Sequence, residues 1–135
     1  MTRVFLTISM ALFSCLVFSQ ETQFVFRNDD RPSFQKLVTA SELVERQTQE
    51  NLVILDVRLK EDFEKDPQLI PGATYMDPEK LQEWSSLLSS DAEIVVYCVA
   101  GKWVSQKVAF LLDQQGLSVS GLAGGIEAWK QSNKP

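Results

Sequence analysis

Residues 93–112 read EIVVYCVAGKWVSQKVAFLL, and the pattern changes twice along the stretch. Ile94 to Tyr97 is an unbroken β-branched and aromatic run, too short for a helix and suited to a strand buried on both faces of a parallel sheet. Cys98 follows at its carboxyl end, and Val99 to Trp103 form a short loop. From Val104 the apolar residues fall at 104, 108, 111 and 112, the i, i+4, i+7, i+8 spacing of one helix face, and Gly116 supplies a stop. The loop therefore opens onto a helix N-terminus. Unpaired N–H groups and the positive dipole end favour an anion there, either a thiolate on Cys98 or a negatively charged substrate.

Strand and helix signals alternate outward from this stretch. Upstream, Leu37-Val38 is a short strand, and Thr39 with Glu42 three residues on has capping-box spacing for a helix of about two turns. Leu52 to Leu55 is a second apolar strand that runs out into Asp56-Val57-Arg58. Glu61 to Lys65 is a helical turn closed by Asp66-Pro67, and Thr74 to Met76 is a short extended piece. Asp77 caps the next helix, Pro78 suits its first turn, and Leu81, Trp84, Leu87 and Leu88 line one face. Downstream, Leu117 to Leu122 is the last strand, and Gly124-Gly125 turn into a final helix, Ile126 to Lys130. This rhythm predicts an α/β domain with helices on both faces of a mostly parallel five-stranded sheet, and a ligand site outside the strands' carboxyl ends.

The remaining composition narrows the chemistry. The 135 residues are 44% hydrophobic and 23% charged, enough for one globular domain. A net charge of −5 without a basic cluster argues against a nucleic-acid partner. The chain has no histidine, which removes Cys-His and Ser-His pairs and histidine metal sites. Arg3 followed by the apolar run Val4 to Phe18 and the polar Gln20 to Gln23 reads as an export signal, residues 1–19, cleaved after Ser19. The competing reading makes Leu12-Phe13-Ser14-Cys15 a lipoprotein signal with Cys15 acylated. Cleavage after Ser19 leaves Cys98 as a lone thiol and a mature chain without a membrane span, periplasmic in a double-membrane bacterium and otherwise secreted. Residues 20–36 form a leader, 37–131 the domain and 132–135 a tail.

Four segments together resemble a single rhodanese domain over about Val38 to Lys130. They are Leu55-Asp56-Val57-Arg58 with Glu61 and Phe63, Ile70-Pro71-Gly72-Ala73, Val96-Tyr97-Cys98 with Gly101, and Leu122 to Ile126 with Ala128-Trp129. The resemblance implies a three-layer α/β/α fold and sulfurtransferase activity without a metal or other cofactor. Cys98 would take sulfane sulfur from a persulfide, polysulfide or thiosulfate donor, carry it as a persulfide, and pass it to a thiol or other nucleophile. Val99, Ala100, Gly101, Lys102 and Trp103 would form the substrate loop. Asp56 and Arg58 read as structural residues beside it, because Arg58 stands at ion-pair spacing from Glu61 on a short turn and such a pair fixes a loop.

Two departures from the family pattern matter. Members commonly run Cys-x-x-Gly-x-Arg-Ser, whereas here Trp103 takes the arginine position and Val104 the serine position. A forked cation suited to sulfonate oxygens is replaced by one N–H and a large apolar face, so thiosulfate is expected to be a poor donor. Leu69 stands where the family often has histidine, and the loop around Asp66 to Leu69 is expected to reshape the surface only. The second class is a catalytically weak or inactive rhodanese-fold binding module that contacts a protein partner through Trp103, Val99 and Val104. A phosphatase of related fold needs a loop arginine that this chain lacks.

Overall fold

The computed structural model describes residues 34–134. The predicted export signal, Cys15 and most of the leader lie outside the described residues. Five strands, β1 (Leu37–Val38), β2 (Leu52–Asp56), β3 (Ala73–Tyr75), β4 (Glu93–Tyr97) and β5 (Ser118–Leu122), form one sheet in the order β1-β5-β4-β2-β3. Every pairing is parallel. The helices are α1 (Ala40–Arg46), α2 (Lys60–Lys65), α3 (Leu81–Trp84), α4 (Val104–Gln114) and α5 (Gly125–Ser132).

Strand alternation divides the core between the two faces. Ile94 and Val96 of β4 and Cys98 just after it share one face of the sheet with Leu55 of β2 and Val57 just after that strand, and pack with Leu81 and Trp84 of α3 and Val104, Val108 and Leu112 of α4. Val95 and Tyr97 point the other way, into a second cluster with Leu43 of α1 and Ile126 and Trp129 of α5. Helix, sheet and helix therefore form three layers. Residue 98 continues the 94–96 register, which sends its side chain towards α4.

Local chemistry explains the helix starts. Thr39 and Glu42 form a complete capping box, each side chain accepting from the other's backbone N–H at 3.2 and 3.3 Å. Asp77 accepts from Glu79 N–H ahead of Pro78 as expected. The helix that follows is less regular than its spacing predicts. It runs as a 3-10 turn (Pro78–Lys80), the four-residue α3 and a second 3-10 turn (Ser85–Leu87). The tighter winding breaks the 3.6-residue period, so Leu81 and Trp84 are buried while Leu87 is 82% exposed. The last helix begins one residue before and ends two beyond its predicted limits, reaching Ser132.

Candidate active site

The site lies where the chain order reverses in the sheet. The neighbours of β2 are β3, next in sequence, and β4, which the chain reaches only after leaving β3. A crevice at the carboxyl ends of such strands is the usual ligand position in an open parallel sheet. It is lined by Arg58, Leu59 and Asp62 on the β2 side, and by Cys98, Val99, Ala100, Lys102, Trp103 and Val104 on the β4 side, with a volume of about 250 Å³. Of the predicted loop residues, Cys98, Val99, Ala100, Lys102 and Trp103 all line it.

Gly101 does not line the cavity; it holds the loop against the domain. It has φ +68°, and a Cβ there would lie 2.7 Å from Leu122 O and 2.9 Å from the backbone nitrogens of Gly124 and Gly125. The first amides of α5 complete the attachment, Ile126 N–H donating to Cys98 O at 3.0 Å and Glu127 N–H to Val99 O at 3.1 Å. In a trans peptide the C=O and the following N–H point in opposite directions. With both carbonyls turned to α5, the N–H groups of Val99 and Ala100 point away from it. Among the described residues, no N–H from Val99 to Trp103 donates to a backbone carbonyl, which leaves this run available to an anion.

Cys98 is a free thiol, 5% exposed, with Sγ 3.1 Å from Ser105 Oγ. Ser105 is itself buried, at 1%. The sequence reading placed the loop's serine position at Val104, but the hydroxyl that meets the cysteine comes from the next residue. A signal for it existed: Val108, Ala109 and Leu112 lie three, four and seven residues after Ser105, and α4 buries all of them on one face. Leu111, assigned to that face from its spacing, is only partly buried.

Asp56 and Arg58 lie beside the crevice, and Arg58 does not pair with Glu61 as predicted. Its Nε and Nη2 donate to the Asp56 carboxylate at 2.6–3.0 Å, Nη1 donates to Asp66 O at 2.8 Å, and Nη2 also reaches Gln68 O at 3.0 Å. Helical spacing does not apply at Arg58, because α2 starts only at Lys60. Instead the chain bends after β2, and Arg58 folds back over its last residue. Burial opposes the guanidinium charge, but the Asp56 hydrogen bonds and charge prevail and hold the group above its usual range. Its carbon lies 5.2 Å over the Phe63 ring, and Phe63 stacks on Tyr75 at 3.9 Å. The Asp66–Leu69 loop is thus tied to the base of the site through Arg58, more than the surface feature the sequence suggested.

A family model for the rhodanese-like domain matches residues 39–132. The chain belongs to the rhodanese-like family. Relatives of this rhodanese domain include the thiosulfate sulfurtransferase GlpE of Coxiella burnetii, 38% identical over 92 residues that span 67% of this chain and 80% of that protein. Among solved structures, a rhodanese-related protein from Thermoplasma volcanium superimposes with a TM-score of 0.64 at 27% identity, covering 75% of this chain and 96% of that one. The rhodanese-like domain of the Anabaena sp. protein Alr3790 gives 0.63 at 30% identity, covering 75% and 77%. Among the described residues of this rhodanese domain no group of His, Cys, Asp and Glu is arranged to hold a metal ion, and no helix is long and apolar enough to cross a membrane.

Proposed function

We propose that this chain is a sulfurtransferase that carries sulfane sulfur on Cys98, and that it acts after export. The reading rests on one observation above the others: Cys98 lines a cavity at the sheet's carboxyl edge, with its sulfur beside the Ser105 hydroxyl. Its relatives' names point to the same chemistry. The Cys98 thiolate attacks the outer sulfur of a donor, and a new S–S bond forms. The donor's own S–S bond breaks, its electron pair leaving on sulfite when the donor is thiosulfate and on a shortened polysulfide when it is polysulfide. An acceptor thiolate then attacks the outer sulfur of the persulfide, and Cys98 departs as thiolate with the bonding pair.

Donor preference follows from the cations near the thiol. Every nitrogen of the Arg58 guanidinium is already engaged, and the loop itself offers only Lys102, a flexible point charge. Trp103 contributes an apolar wall. Thiosulfate, a compact dianion, is therefore a poor donor, and a polysulfide or an organic persulfide a better one. Thiocyanate formation with cyanide as acceptor tests this reading. The expected result is a kcat/KM at least roughly tenfold higher for polysulfide than for thiosulfate, with Cys98→Ser at background. Equal use of thiosulfate overturns the donor preference. Wild-type protein at background with both donors overturns the enzymatic reading and favours the binding module.

The apolar run Val4 to Phe18 after Arg3 supports export, with cleavage after Ser19. Intact mass of protein recovered from its native host tests it. Loss of residues 1–19 is expected, a retained Met1 contradicts cleavage, and a diacylglycerol on Cys15 supports the lipoprotein alternative.

A further inference from the structure

Three charged side chains line the Cys98 cavity. Arg58 is neutralised by Asp56, the pair being 2% and 0% exposed. Asp62, in the first turn of α2, and Lys102, in the loop after β4, remain. Among the described residues, the only ion pair of Asp62 is a 4.0 Å contact with solvent-exposed Lys65, a weak one that water screens. Lys102 has no ion-pair partner among the described residues, so the two do not pair with each other. The other wall residues, Leu59, Val99, Ala100, Trp103 and Val104, are apolar. The nucleophile thus sits in a small, mostly apolar cavity carrying one weakly paired anion and one cation without an ion-pair partner among the described residues.

We propose that the cavity selects a zwitterionic, amino-acid-type persulfide, R–S–SH with both an ammonium and a carboxylate on R. This rests on the sulfur-transfer reading above and names the donor class for it. The ammonium sits at Asp62, the carboxylate at Lys102 and the carbon chain against Trp103, with the outer sulfur at Cys98. Asp62 also repels dianions, adding to the disadvantage of thiosulfate. Cysteine persulfide carries both charges next to its sulfurs, whereas in glutathione persulfide the cysteine's amine and carboxyl are locked in amide bonds and cannot make either contact. In the transfer the Cys98 thiolate bonds to the outer sulfur, the donor S–S bond breaks, and R–S⁻ leaves with its electron pair. Cys98 retains the S–SH with its proton, so one negative charge stands on each side and no oxidant is needed.

The test is the initial rate of Cys98 persulfidation from four donors: cysteine persulfide, glutathione persulfide, propyl persulfide and thiosulfate. Cysteine persulfide is expected to be the fastest. The rate ratio of cysteine persulfide to propyl persulfide falls roughly 3- to 10-fold in Asp62→Asn and in Lys102→Gln, and Asp62→Asn gains a similar factor on thiosulfate. Glu64→Gln, on the same helix but outside the cavity, leaves the ratio unchanged. A ratio unmoved by either cavity variant, or glutathione persulfide matching cysteine persulfide, overturns the inference while sulfur transfer stands. No persulfidation from any donor overturns sulfur transfer, and the inference falls with it.

Discussion

A buried thiol with no histidine or free arginine at hand depends on the hydroxyl beside it. Once Cys98 ionises, the Ser105 O–H becomes a charge-assisted donor to sulfur, an interaction of about 1.5–3 kcal/mol. Ser105→Ala should therefore slow alkylation of Cys98 by iodoacetamide at pH 7 by roughly tenfold, without unfolding the domain. An unchanged alkylation rate would show that the contact does not favour the thiolate. The second residue-scale prediction concerns the missing fork. Trp103→Arg should raise kcat/KM for thiosulfate by about tenfold through paired N–H donors to its oxygens, and a fall would mean that the indole helps to hold this donor. Cys98 was legible from the sequence because a β-branched run delivers it to a strand end. Ser105 was not, because family spacing assigned the serine position to Val104, whereas the turn into α4 brings the following residue over the thiol. Arg58 was misread for a related reason: a spacing rule for helices was applied to a residue that precedes its helix.

At the scale of elements, the site is a loop pressed onto the start of α5. The carbonyls of Cys98 and Val99 bond to α5 amides, and Gly101 fills the gap beneath them. A methyl group at Gly101 meets three backbone atoms at 2.7–2.9 Å and stands on a positive φ, so none of the three neighbours can yield cheaply. Gly101→Ala is predicted to cost about 2–3 kcal/mol in urea unfolding and to impair sulfur transfer. A loss below about 1 kcal/mol would show that the loop is less tightly seated. Most elements could be read from apolar runs and caps, as the capping box of Thr39 and Glu42 illustrates. The segment from Pro78 to Leu87 resisted, because a mixture of 3-10 and α turns has no single period. Leu87, placed in the buried face by its spacing, consequently emerges into solvent.

Over the whole molecule, the parallel sheet separates two cores and leaves a few polar groups inside them. The chain contains two tyrosines, and both are affected. Burial, reinforced by the charge of Asp77, pushes Tyr75 up to about 12. Burial also raises Tyr97, whose hydroxyl accepts from Ile70 N–H at 3.2 Å. A folded-state value above the unfolded one means that stability is fully present below about pH 10 and is lost as pH rises towards 12 and beyond. The ultraviolet tyrosinate signal should therefore be absent from folded protein at pH 10.5 and appear together with unfolding. A reversible titration near pH 10 in folded protein would contradict this packing.

Sulfur carriage by Cys98 is tested most directly by intact-mass analysis of the fully reduced mature protein, exposed separately to polysulfide, cysteine persulfide and thiosulfate, with Cys98→Ser alongside. The predicted result is a gain of one sulfur, about 32 Da, from polysulfide and cysteine persulfide, reversed by cyanide and absent from the variant. Persistence of the unmodified mass with every donor, while the Cys98 thiol remains titratable, would contradict it.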